Sequence, residues 1–144
     1  MPTDSVDAHA VDPRFSPLLT ATEAQIYVRD FAAACDFYCT KLGFSLAFSY
    51  GSPPHYGMVA REGARLCLRL VHEDVFAGDI REREQLLSAA FVVADAAGIR
   101  GLFEAFKAAG VAFHAPLQAQ PWGALNFIVR DLDGNLILFA APAD

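Results

Sequence analysis

The residues able to do chemistry are thinly spread along the 144-residue chain. Cys35, Cys39 and Cys67 are odd in number and lack CxxC spacing. Two of them fall on one predicted helix, so the pattern points to reduced thiols rather than a disulfide framework. Of the four histidines, His9 sits in a polar leader, His55 and His72 fall in loops, and His114 ends a strand. There is no GxSxG nucleophile and no glycine-rich phosphate loop. Glu23, just ahead of the first strand, is the one acid–base candidate, and it would act as a base if buried.

The elements that must position these groups read from their punctuation. Ile26 to Val28 is β-branched and aromatic, which suits a strand. Asp30 is placed to accept from the free amides of a first helical turn. Phe31, Ala34, Tyr38 and Leu42 recur at helical spacing, and Gly43 stands where a left-handed exit residue belongs. Phe44, Leu46 and Phe48 alternate with small residues, predicting a second strand. After the Gly51–Tyr56 break with its two prolines, Tyr56–Ala60 and Ala64–Val71 read as a hairpin around Arg61-Glu62-Gly63.

The pattern then returns. His72 to Leu87 is mostly charged, a surface connector with a short helical piece. Ala89–Val93 is a strand, Asp95 repeats the cap, Ile99, Leu102, Phe103 and Phe106 give a helix, and Gly110 closes it. Val111–Ala115 is expected as a strand stopped by Pro116, Gln118–Gly123 as a loop, and Leu125–Val129 with Asn135–Ala140 as the last hairpin. Cap aspartate to exit glycine spans 13 residues in the first half and 15 in the second. The reading is α+β: two tandem βαβββ modules at 21–72 and 88–144, a connector at 73–87, and a loose leader at 1–20.

Bulk numbers bound the function. An apolar fraction of 54% is ample for a core. No window approaches 18 uninterrupted apolar residues, and no basic start precedes an apolar run, so neither a membrane span nor a secretory signal is expected. With the reduced thiols, that points to the cytoplasm. A net charge of −6 with scattered arginines excludes a basic nucleic-acid-binding stripe.

Val28-Arg29-Asp30, Phe37-Tyr38, Leu42-Gly43-Phe44 and Asp131-Leu132-Asp133-Gly134-Asn135, in this order on a doubled module, resemble the vicinal oxygen chelate superfamily of glyoxalases, bleomycin-resistance proteins and dioxygenases. The likeness runs from about Thr22 to Pro142. It implies curved sheets that pair around a cleft, and in the metal-dependent members one ligand at the start of the first strand and one near the end of the fourth in each half. Carried over, those positions are Glu23, Cys67, Ser88 (or neighbouring Ala89) and Leu138. A divalent ion wants imidazole and carboxylate donors, and this set falls short. No metal and no cofactor is therefore expected.

Strand alternation gives the cleft face. It assigns Glu23, Gln25, Tyr27, Arg65, Cys67 and Arg69 to one polar wall, and Ser88, Ala90, Val92, Leu136 and Leu138 to a small or aliphatic one. Tyr50, His55 and Tyr56 flank the mouth, and Trp122 is either a stacking lid or a loop anchor. Glu23 facing Arg65 or Arg69 also reads as a plain ion pair, Cys67 as a buried filler, and the acids Glu73, Asp74, Asp79, Glu82 and Glu84 as a solvated face. The expected function is metal-free binding of a small organic, possibly cationic, drug-like ligand, as in the bleomycin-resistance branch. The alternative is a metal-dependent glyoxalase-type lyase or dioxygenase. The resemblance, and the exposed sheet edges, imply a homodimer.

Overall fold

A computed structural model describes residues 12–15 and 18–144. Most of the leader, His9 included, lies outside the described residues; Pro13–Phe15 forms a single 3-10 turn. The first module runs β1 (Ala24–Val28), α1 (Phe31–Asp36), β2 (Ser45–Tyr50), β3 (Tyr56–Arg61) and β4 (Ala64–Leu70). A connector carries the four-residue helix α2 (Ile80–Arg83). The second module follows as β5 (Ala89–Val92), α3 (Ala96–Ala108), β6 (Ala112–Gln120), β7 (Ala124–Arg130) and β8 (Leu136–Pro142). Each module makes a four-stranded sheet, ordered β1-β4-β3-β2 and β5-β8-β7-β6, with the first and last strands parallel and the rest antiparallel. The fold is the α+β doubled βαβββ arrangement, with two separate open sheets.

Both caps form as their sequence predicts. The Asp30 carboxylate accepts from the Ala33 N–H at 3.0 Å, and Asp95 from the Gly98 N–H at 2.7 Å. Gly43 and Gly110 adopt φ of +78° and +80°, the left-handed exit that a side chain would strain. The first helix differs from expectation in its last turn, which is π-wound over Phe37–Lys41. The Phe44 N–H therefore reaches back to the Tyr38 carbonyl at 3.0 Å. The extra residue turns Phe37 and Tyr38 inward together, their rings edge to face at 5.2 Å.

A second correction falls on β6. Pro116 does not stop it; the strand continues to Gln120 and absorbs part of the expected loop. β6 is the sheet's edge, and its pairing to β7 shifts register between Ala115 and Gln118. An outer strand at a bulge is where proline's missing N–H costs no ladder bond.

One core joins the halves. Ile26, Val28, Leu66 and Leu68 cluster with Phe31, Ala34 and Leu42, and Phe127, Val129, Ile137 and Phe139 with Ile99 and Phe106. Phe44 meets Phe91 across the junction at 5.8 Å. Beside it lies a buried polar joint centred on Asp131. Its carboxylate accepts from the Tyr38 hydroxyl at 2.7 Å, from the Asn135 N–H and side-chain amide at 2.8 and 2.9 Å, and from the Asp133 N–H at 2.9 Å. Asn135 Nδ2 also donates to the Tyr27 carbonyl, and the Arg29 N–H to Asp133. The Asp-Leu-Asp-Gly-Asn turn thus docks the second module on the end of β1.

Burial, with the Asp131 charge adding to it, raises the Tyr38 hydroxyl well above its ordinary value of 10.0. A group raised on folding supports the native state fully below its unfolded value and loses that support as pH climbs past it. Above pH 10 the native state should therefore weaken by about 1.4 kcal/mol per pH unit from this residue alone. Urea titrations between pH 8 and 11 should show that slope in the parent protein and its loss in Tyr38→Phe; equal slopes in both would disprove the assignment.

Gly57 holds the same module together by having no side chain. A Cβ there would stand 2.6 Å from the Phe48 carbonyl and 2.8 Å from the Phe31 ring. Gly57→Ala is expected to cost about 1–3 kcal/mol, read from its denaturation midpoint.

Candidate functional site

β1 and β4 lie side by side with Gln25 opposite Cys67 and Tyr27 opposite Arg69. β3 adds Tyr56 opposite Arg69 and Met58 opposite Cys67. Because the alternate residues Ile26, Val28, Leu66 and Leu68 are committed to the helix-packed core, these side chains share the other face. The structure so brings together Glu23, Gln25, Tyr27, Tyr56, Arg65, Cys67 and Arg69. The turn after β2, which holds a cis Ser52–Pro53 bond, folds Tyr50 against His55 at 5.6 Å. Gln25, Tyr50, His55, Tyr56, Arg69, Leu70 and His72 line one cavity of about 440 Å³.

The polar groups on this wall hold one another. Cys67 donates to Glu23 Oε1 at 3.7 Å, and Arg65 Nη1 stands 3.6 Å from Glu23 Oε2. Gln25 reaches the Tyr27 hydroxyl at 3.5 Å. A hydrogen bond with Cys67, with Glu23 adding a smaller push, holds the Tyr56 hydroxyl above its ordinary value. Glu23 is thus ion-paired and half exposed.

The remaining predicted residues stand apart. Trp122 occupies the β6–β7 turn, 73% exposed, and Leu138 lies on β8 between Ile128 and Ala90. Neither lines the cavity that Tyr56 and Arg69 share. A larger cavity, about 780 Å³, opens at the module junction instead, walled by Ala24, Phe44, Phe91, Val93, Leu102 and Phe139 and rimmed by Arg61 and Arg65. Of the predicted polar wall only Arg65 reaches it, joined by Ala90 and Val92 of the predicted aliphatic wall.

The donor set does not fit a catalytic metal. Glu23 is engaged by Arg65 and Cys67, Ser88 Oγ turns to Asn135 Oδ1 at 3.4 Å, and Leu138 offers only hydrocarbon. Among the described residues no three His, Cys, Asp or Glu gather closely enough to hold an ion.

Sequence reasoning missed a polar group on the other module. A bulge between Phe113 and Ala115 leaves His114 out of the β6–β7 ladder. His114 Nδ1 lies 3.7 Å from Glu82 Oε1, and Arg130 Nη2 donates to the same oxygen. That hydrogen bond, followed by the charges of Arg130 and His114, lowers the Glu82 carboxyl below its ordinary value. The acidic connector is accordingly not a plain solvated face: Glu82 is clasped, and Asp74 pairs with Arg29 at 2.7 Å. Partners separated by 45 and 48 residues leave no local spacing to read.

Two βαβββ modules, docked by the Asp131–Asn135 turn on the end of β1 and by Phe44 on Phe91, each leave one sheet face turned away from its helix, which defines a paired-module α+β fold. Residues 20–139 match the model of the Glyoxalase/Bleomycin resistance protein/Dioxygenase superfamily, and the chain belongs to that superfamily. Among solved structures it is similar to a glyoxalase/bleomycin resistance protein/dioxygenase from Alicyclobacillus acidocaldarius, at 24% identity and TM-score 0.69, covering 87% of this chain and 92% of that one. It is also similar to the bleomycin-binding protein of Streptomyces verticillus complexed with copper(II)-bleomycin (22%, TM-score 0.64, 89% and 98%). The fosfomycin resistance protein FosX from Listeria monocytogenes shares the fold at 15% identity, TM-score 0.66, covering 88% and 96%. No curated protein sequence matches the chain significantly.

Proposed function

We propose that this chain is a metal-free small-molecule-binding protein, a cytoplasmic homodimer that sequesters an organic ligand on the first module's polar wall. The observation that carries this reading is the donor set: of four positions that would hold a cation, one is Leu138 and two are occupied by each other or by Arg65. The wall itself supports binding. Tyr50, Tyr56 and His55 offer ring surface, while Gln25 and Arg69 supply the few polar groups that orient a guest. Superfamily membership and the likeness to a bleomycin-binding protein support a drug-like ligand, and the net charge of −6 favours a cationic one. No helix is long and apolar enough to cross a membrane among the described residues.

Calorimetric titration with bleomycin-type compounds should show saturable heat. Tyr56→Ala should weaken binding about tenfold, the value of one stacked ring. No heat and no thermal shift with the parent protein would remove the bleomycin version. The enzyme reading, a glyoxalase-type lyase or dioxygenase, has one favouring observation: Glu23 and Cys67 remain adjacent and could share an ion with a partner chain's donor. Metal analysis of freshly purified protein separates the two, since a stoichiometric ion lost in Glu23→Gln would establish the enzyme reading.

A further inference from the structure

The second module's outward sheet face is not bare. Phe127, Val129, Ile137 and Phe139 pack on α3, so Ile128, Arg130, Leu136 and Leu138 point the other way. Yet Leu136 and Ile128 are only 0% and 3% exposed while standing outside the main core. The connector covers this face. Arg81 ties it down through the Asn135 side chain at 3.1 Å and the Asp133 carbonyl at 2.7 Å, and Glu82 reaches Arg130 and His114.

From this arrangement we infer that Arg130 and His114 form a binding subsite for an anionic oxygen group, a carboxylate or phosphate on an apolar body, and that Glu82 is its built-in occupant. Three features support it. A guanidinium beside an imidazole, above an aliphatic floor of Ile128 and Leu138, is complementary to an oxyanion carried on hydrocarbon. Glu82 fills that site incompletely: it takes Nη2 of Arg130, while the buried Arg130 Nε has no hydrogen-bond partner among the described residues. A ligand oxyanion that met the guanidinium as a fork would satisfy both nitrogens, which the tethered Glu82 does not. Finally, the clasp is cheap to open, because α2 is four residues long and buries no side chain. This subsite goes beyond the ligand wall proposed above; it lies on the other module and stands whether or not the first wall binds a guest.

The test is titration of the full chain with benzoate, phenyl phosphate and benzyl alcohol, followed by NMR of the Arg130 Nε–H and the His114 ring. Removing the internal competitor in Glu82→Ala should tighten benzoate or phenyl phosphate binding about tenfold or more. Whichever anion gains more identifies the ligand's head group. Glu82→Gln, which keeps the side chain's size and loses its charge, should shift the same way, guarding against a collapse of the connector. Adding Arg130→Gln to Glu82→Ala should abolish the gain, and benzyl alcohol should be indifferent to every change. Equal anion affinity in the parent and both Glu82 variants, or a gain that survives Arg130→Gln, overturns the inference.

Discussion

Replacing Asp131 by alanine is expected to lower the unfolding free energy by about 3–5 kcal/mol, enough to cut Tm by roughly 10 °C in a domain of this size. The carboxylate is one acceptor serving four donors: the Tyr38 hydroxyl, the Asn135 N–H, the Asn135 side-chain amide and the Asp133 N–H. Alanine strands all of them where water is scarce, since Tyr38, Asp131 and Asn135 are buried. Each orphaned donor costs about 1–3 kcal/mol, and partial relaxation keeps the sum below four times that. Asp131→Asn separates charge from geometry. It retains an acceptor oxygen but points an amide at a donor, so its loss should fall between the parent and alanine. The consequence reaches beyond stability, because Asp131 belongs to the second module and Tyr38 to the first. A variant that stays folded should show looser coupling, with faster amide exchange at Tyr27, Arg29 and Asp133. Unchanged stability in Asp131→Ala would mean that the shared apolar core, Phe44 with Phe91 included, docks the modules without help from this carboxylate.

That joint also marks what the sequence could and could not tell. The residues Asp131 to Asn135 were legible as a turn, and as part of a family pattern, because glycine and aspartate announce a reversal locally. Their partner Tyr38 was legible as a helix-face residue. The bond between them spans 93 positions, and no periodicity encodes it. The same division runs through the rest. Capping aspartates and left-handed glycines are local physics, so both helices were correctly placed at their starts and exits. The π turn was not, because spacings of three and four fit an α-helix equally well until Phe37 and Tyr38 must both turn inward. Pro116 was read by its usual rule as a terminator, yet whether proline ends a strand depends on which neighbour needs its N–H. That is a property of the sheet's edge, unknown until strand order is known.

The alternation that sets Gln25 opposite Cys67 and Tyr27 opposite Arg69 is legible in the sequence, because a period of two is fixed by the pleat. The wall's internal pairing was left open between an ion pair and a free base, and Arg65 beside Glu23 favours the ion pair. The Glu82, His114 and Arg130 group lay out of reach. His114 was assigned to a strand end and Glu82 to a solvated run, and only the bulge and the folded-back connector bring them together.

The second large effect concerns the ring stack that packs the sheet under that connector against α3. Phe127 is fully buried on β7, and its ring lies 5.2 Å from Phe139 in a stacked arrangement. Phe103, Phe106 and Phe113 surround it at 5.4, 5.9 and 5.7 Å. Phe127→Ala removes the common member of five interlocked rings, and its neighbours hang from two strands and a helix that cannot collapse together into the void. A loss of about 3–5 kcal/mol is expected, toward the upper end because the cavity would be lined by rigid rings rather than adaptable chains. Phe127→Leu keeps most of the volume and should cost roughly half as much. Equilibrium denaturation gives both numbers, and a ratio near one would show that the rings repack. Because Ile128 and Arg130 follow Phe127 on the same strand, the alanine variant should also disturb the Glu82 clasp. The Arg130 Nε–H resonance should move in Phe127→Ala and stay in Phe127→Leu, tying the packing of one sheet face to the chemistry of the other.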